Sequence, residues 1–196
     1  MGLPRPVSIK ERKRALRRTA NEAIAALTAA ERHAGDAAIC DVVRSLRAYA
    51  DAEQVLAYWP VADEVDLRAL LFAAVESGKR VFLPVTRDGA ISFHRWRPQE
   101  GLSTGVLGVQ EPEGGDGPAD RPSIVLVPGR AFSAAGHRLG RGGGFYDRAW
   151  GGLERYAPRV GIGYACQVFD EVPHDERDSV VDMLVCERGV VSETAA

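Results

Sequence analysis

The run SIVLVP at residues 123–128 constrains the fold more than any other stretch of the chain. A continuous apolar run of this length is expected of a strand buried on both faces, in the middle of a largely parallel sheet. VLAYW (55–59), RVFLP (80–84), RVGIGYA (159–165) and SVVDMLV (179–185) read as its companions. AISFHRW (90–96) alternates after an Arg-Asp-Gly turn and reads as a further strand. DLRALLFAAVESG has helical periodicity and stops at Gly78. Strands that alternate with helices predict an α/β fold: a mostly parallel open sheet flanked by helices on both faces. No internal repeat is visible. The segment 111–122, EPEGGDGPADRP, reads as a surface loop, and strands continue on both sides of it. One domain over residues 1–196 is therefore expected.

Two helices should precede the first strand. Ser8-x-x-Glu11 and Thr28-x-x-Glu31 are capping boxes, each followed by helical periodicity. Leu16, Ala20, Ile24 and Leu27 form the apolar stripe of the first, and Ile39, Val42, Val43 and Leu46 that of the second. Gly35 is a weak point in the second helix. On the first helical wheel Lys13 projects between Leu16 and Ile24, and Arg17 sits at the margin of the stripe. Arg12 and Arg18 point away. Lys13 and Arg17 therefore face the protein, either to cover apolar surface with their stems or to meet a ligand.

The balance of charge narrows the classes of partner. The chain carries 25 Lys and Arg against 27 Asp and Glu, a net charge of −2, so no basic field marks it for nucleic acid or an anionic membrane. No apolar run is long enough to cross a bilayer and none resembles a signal peptide. Cys40, Cys166 and Cys186 form no C-x-x-C pattern and do not propose a disulfide framework. A cytoplasmic protein is expected.

Residues 136–148, GHRLGRGGGFYDR, hold five glycines and three arginines in thirteen positions. A flexible linker would combine glycine with serine and omit the cations. The segment follows the buried strand, and in open α/β sheets ligands sit beyond the carboxyl ends of strands. Glycines let backbone N–H groups approach a phosphate, and a following helix N-terminus favours an anion. A tight surface turn with solvated arginines is the plain alternative. Neither the dinucleotide fingerprint nor the G-K-[ST] loop fits: Gly140-x-Gly142-x-x is followed by Phe145, and no lysine ends the glycine run. Asp147, just past the glycines, would suit Mg²⁺ beside phosphates or cap the next helix. Asp182 stands in the apolar run VVDML, where a carboxylate needs a partner, whether a hydrogen-bonding group or a metal.

VPGRAF…GHRLGRGGGFYDR resembles the signature of the 5-formyltetrahydrofolate cyclo-ligase family, the methenyltetrahydrofolate synthetases. KRALRR (13–18) is similar to the family's N-terminal K-x-x-x-R element, DEVD (63–66) to its acidic motif, and VPHDERDSVVDMLV (172–185) to its C-terminal motif, in the family's order. The resemblance implies ATP- and Mg²⁺-dependent cyclisation of 5-formyltetrahydrofolate to 5,10-methenyltetrahydrofolate, with release of ADP and phosphate. ATP would phosphorylate the formyl oxygen, N10 would attack the activated carbon, and phosphate would leave. Such chemistry needs positioning and charge neutralisation more than a covalent nucleophile.

The same resemblance assigns residues. It implies ATP binding by Lys13, Arg17, Arg138, Leu139, Gly140, Arg141, Gly142, Gly143, Gly144, Phe145 and Tyr146. It implies folate contacts from Trp59, Glu64 and the Arg141–Phe145 part of the loop, and Mg²⁺ contacts from Asp147 and Asp182. Phe145 departs from a usual tyrosine, which keeps the ring face and loses a hydroxyl. The folate could carry a polyglutamate tail, and neither nucleic acid nor membrane is an expected partner. His137 borders the loop and His174 lies in a turn, and neither receives a role. Three alternatives stand beside this reading. They are a related α/β sugar-phosphate isomerase or acyl-CoA transferase with a carboxylate catalyst, a nucleic-acid contact made by the basic start KERKRALRR, and a cyclo-ligase-like protein of altered substrate.

Overall fold

The computed structural model describes residues 7–193 apart from 106, 107, 122, 154, 155 and 157. Both capping boxes form, with Ser8 and Thr28 accepting from the N–H groups of Glu11 and Glu31 and the glutamate carboxylates reaching back. They start α1 (Ile9–Ala25) and α2 (Ala29–Ser45). A short α3 (Arg47–Asp51), which no periodicity marked, leads into β1 (Gln54–Leu56). Then come α4 (Arg68–Glu76), β2 (Arg80–Arg87), β3 (Ala90–Trp96), β4 (Ser103–Thr104), β5 (Gln110–Glu111) and β6 (Ser123–Pro128). The remainder is β7 (Ala131–Phe132), β8 (Arg138–Leu139), α5 (Phe145–Leu153), β9 (Arg159–Ile162), β10 (Met183–Cys186) and β11 (Gly189–Glu193).

Seven strands make one sheet in the order β11-β10-β9-β6-β1-β2-β3, parallel throughout its centre, with β3 and β11 antiparallel at the edges. The continuous apolar strands are those buried on both sides. Along β6, Ile124 and Leu126 face a core shared with α2, α3 and α4, while Val125 and Val127 face Trp150 and Leu153 of α5. Val55 and Leu56 of β1 divide the same way. A smaller cluster ties Ala20 of α1 to Ala131, Leu139 and Val172.

Several boundaries differ from the sequence expectation. The strand expected over 55–59 stops at Leu56, and Ala57–Trp59 continue as irregular chain that enters the site. The expected strand 179–185 begins only at Met183, because the residues before it pair elsewhere: Val180 bridges to His137 and Val181 donates to the Gly136 carbonyl. The loop over 111–122 opens as strand at Glu111, and residue 122 lies outside the described residues. Gly35 is no defect. A Cβ there would lie 3.1 Å from the ring of Tyr164, which is buried and donates its hydroxyl to Asp36 at 2.5 Å, so glycine admits the close approach of α2.

The strand order places the site. From β1 the chain steps to β2 on one side, and later to β6 on the other. The reversal leaves a crevice beyond the carboxyl ends of β1 and β6, the usual ligand position in an open α/β sheet.

Candidate active site

A cavity of about 1050 Å³ opens at that crevice. Its walls come from α1, the chain after β1, the ends of β2 and β6, the β4–β5 hairpin and the glycine loop with the start of α5. Lys13, Arg17, Trp59, Glu64 and every residue from Arg138 to Asp147 line it, so residues more than a hundred positions apart meet in one space.

The loop has its shape because side chains are missing from it. Gly142 has φ +105°, a conformation that L side chains rarely adopt. A Cβ at Gly143 would lie 2.5 Å from the ring of Phe145, so only glycine lets the chain fold back over that ring. The guanidinium of Arg17 secures the loop, donating from Nε to the Gly140 carbonyl at 2.8 Å. Burial lowers the pKa of Arg17, and the charges of Asp178 and Asp147 act against that, so both carboxylates stand in its field.

Each of the cations Lys13, Arg138 and Arg141 has a carboxylate partner. Lys13 Nζ bonds Asp178 and reaches Asp175 at 3.3 Å. Arg138, only 5% exposed, donates to the Pro128 carbonyl and to Asp147 Oδ1, both at 3.0 Å. Arg141 Nε donates to Glu64 Oε1 at 3.0 Å and its Nη2 to Asp63. Asp63 also accepts from the buried Arg130. Partial burial acts to raise the Asp63 pKa, but the hydrogen bonds from Arg141 and Arg130 outweigh it and hold the group below its usual value. The geometry agrees with the helical wheel of α1: Lys13 and Arg17 turn into the cavity, while Arg12 pairs with Glu171 outside and Arg18 is exposed.

Two aromatic groups complete the wall. Trp59 meets Trp96 edge to face with centroids 5.4 Å apart, so it serves the core and the cavity together. Tyr146 has a buried hydroxyl without a partner among the described residues, and burial drives its pKa upward, with Glu64 adding to the rise.

Asp182 is held apart from the other expected site residues. It does not line the cavity, and its oxygens accept from the backbone N, Nε and Nη2 of Arg159 at 2.7, 2.8 and 2.6 Å. Burial would raise its pKa, but these bonds keep it below the usual carboxylate value. The structure therefore gives it the hydrogen-bonding partner that the apolar run demanded. His137 and His174 stack at 3.6 Å beside the site without lining it.

Sequence reasoning missed Asp63, Arg130, Asp178 and Glu111. Asp63 and Asp178 lie inside motifs already noted, DEVD and HDERD, where each extra carboxylate was a signal. Arg130 and Glu111 carry no local pattern.

Comparisons with known proteins agree with the architecture. A sequence model described as the 5-formyltetrahydrofolate cyclo-ligase family matches residues 9–187. A 5-formyltetrahydrofolate cyclo-ligase of Mycolicibacterium smegmatis is 34% identical over 148 residues, covering 70% of this chain and 76% of that one. The Escherichia coli K12 protein of that name is 33% identical over 134 residues, covering 65% and 74%. The solution structure of Aquifex aeolicus 5,10-methenyltetrahydrofolate synthetase superposes with a TM-score of 0.83 at 32% identity, covering 94% of this chain and 93% of that one. On the match to its sequence model, its relatives and its fold, the chain belongs to the 5-formyltetrahydrofolate cyclo-ligase family.

Proposed function

We propose that this cavity binds 5-formyltetrahydrofolate and ATP side by side and yields 5,10-methenyltetrahydrofolate, ADP and phosphate. The observation that carries the reading is the division of the cavity wall. Lys13, Arg17 and Arg138 give it a cationic lining with the glycine loop, while Pro84, Ile91 and Val109 add a second, apolar lining. A polyphosphate suits the first and a planar heterocycle the second.

The residues present fit both groups. A Cβ at Gly142 would fill space 3.5 Å from the Arg17 guanidinium, the gap in which a phosphate meets loop N–H groups and a cation together. Asp147 fits Mg²⁺: Arg138 takes its Oδ1, Oδ2 has no hydrogen-bond donor among the described residues, and magnesium takes one or two carboxylates along with phosphate oxygens and waters. Asp182 is left out of this proposal. Bound Mg²⁺ neutralises charge on the phosphates as the phosphoryl group moves.

The chain's own part is to hold the reactants in line. Arg17 and Lys13 fix the phosphates, Trp59 and Phe145 offer ring faces to the folate, and the apolar wall excludes water from the activated carbon. No side chain has to act as a nucleophile. Among the described residues no helix is long and apolar enough to cross a membrane.

The test is absorbance of the purified protein with 5-formyltetrahydrofolate, with and without MgATP. The near-ultraviolet band of methenyltetrahydrofolate should grow only with nucleotide. No ATP-dependent product would refute the proposal.

A further inference from the structure

We infer that Glu111 is the carboxylate that reads the N–H donors of the pterin ring, an inference that rests on the function proposed above. Glu111 lies on β5, is 6% exposed and lines the cavity. Burying a carboxylate costs free energy unless hydrogen bonds or a cation replace its water. The carboxylate of Glu111 receives one bond among the described residues, from the Thr86 N–H to Oε1 at 3.1 Å. Among the described residues no Lys, Arg or His is paired with it, and its Oε2 has no donor.

The group is nevertheless held in place. A Cβ at Gly105 would lie 2.2 Å from the carboxylate carbon, so the β4–β5 hairpin omits a side chain where the carboxylate sits. Thr86 anchors it from β2 on the other side. A buried acceptor fixed at this position, short of donors and facing a cavity, is arranged for donors that arrive with a ligand.

Glu64, the other carboxylate facing the folate side, is differently placed. Arg141 donates to its Oε1 at 3.0 Å and the Val61 N–H to its Oε2 at 3.3 Å. Its charge is matched within the protein and it acts mainly to hold Arg141 against the loop. Glu111 has the spare acceptors.

The chemistry of the proposed substrate supplies the match. The pyrimidine half of a pterin presents its 2-amino group and N3–H side by side on one edge, a fork that one carboxylate accepts in bidentate fashion. Pro84, Ile91 and Val109 line the cavity together with Glu111, Ile91 being paired with the Thr86 that bonds it, and offer the ring an apolar face. A site built to bond such donors rejects analogues that lack them.

Steady-state kinetics of Glu111→Gln test this. The amide nitrogen would oppose the ring donors, so KM for 5-formyltetrahydrofolate should rise roughly 10- to 100-fold. KM for ATP and the unfolding temperature should stay near the wild-type values, which a purely structural residue would not allow. A 2-desamino analogue of the substrate gives the ligand-side arm. Wild type should lose most of its affinity for the analogue, and Glu111→Gln should show little further loss. If Glu111→Gln does not fold, Glu111→Asp carries the same test, because it keeps the charge and withdraws it by one methylene. Equal losses for the analogue in both enzymes, or an unaltered folate KM beside normal wild-type turnover, would overturn the inference alone. Absence of product from the wild type would overturn the functional reading and this inference with it.

Discussion

Gly142→Ala tests the glycine loop most directly. The change adds one methyl group at a backbone φ of +105°. The new Cβ would stand 3.5 Å from the Arg17 guanidinium carbon, an ordinary contact, so no clash complicates the result. Holding a side chain in this region of φ costs about 1–3 kcal/mol. For a chain of this size that corresponds to a fall in unfolding temperature of about 2–12 °C if the loop keeps its shape. If the loop relaxes instead, stability is spared and its N–H groups leave the phosphate position. Losing one charge-assisted hydrogen bond then raises the KM for ATP roughly 10- to 100-fold. Either way the methyl group narrows the gap between the loop and Arg17, so ATP binding should weaken. Gly151→Ala is the internal control. Gly151 lies on the exposed side of α5, where an added Cβ would meet nothing within 4 Å, and alanine there should stabilise the helix by about 0.5–1 kcal/mol. The assay pairs thermal unfolding with ATP kinetics for both variants. A Gly142→Ala enzyme with wild-type KM for ATP would refute the phosphate-cradle reasoning, whatever its stability.

Arg17→Ala should weaken ATP binding roughly 10- to 100-fold. Arg18→Ala, whose side chain is 76% exposed, should leave it unchanged in the same titration, and equal effects would count against the inward turn of Arg17. Asp182→Asn should lower stability by about 1–3 kcal/mol in urea denaturation through its lost bonds to Arg159, and should leave the Mg²⁺ requirement of turnover unaltered. The folded-state pKa of Asp182 is depressed, so its stabilisation is complete above about pH 4 and is lost as the pH falls through the folded value. The gap between wild type and Asp182→Asn should therefore shrink in acid. A raised Mg²⁺ requirement with unchanged unfolding would return Asp182 to the metal.

The sheet was legible where burial leaves its mark on composition. SIVLVP became β6 at the expected residues because a strand covered on both faces is marked by an unbroken apolar run. The helix starts were legible for a local reason, since a capping box holds both donors and acceptors within four residues. What escaped was what depends on distant partners. β11 is an edge strand with exposed Val190 and Val191, paired only with β10, and nothing in its own composition distinguishes it from a loop. β1 ends at Leu56 although β6 runs on to Pro128; Ala57 still donates to the Phe82 carbonyl, and Tyr58 and Trp59 line the cavity.

The site divides along the same physical line. Its cations could be found in the sequence because a helical wheel and a glycine run are local patterns. The carboxylates that hold those cations could not, because an ion pair carries no spacing rule. Asp178 meets Lys13 across 165 positions and Asp63 meets Arg141 across 78. Yet the cations require them. A guanidinium as buried as Arg138 is strongly destabilising without a partner, and an unpaired side chain would also be free to leave its place in the cavity wall. Asp147 and the Pro128 carbonyl fix Arg138 from two directions, and Asp63 with Glu64 does the same for Arg141. The cavity is therefore preorganised by ion pairs made within the protein, whereas Glu111 takes part in none of them among the described residues.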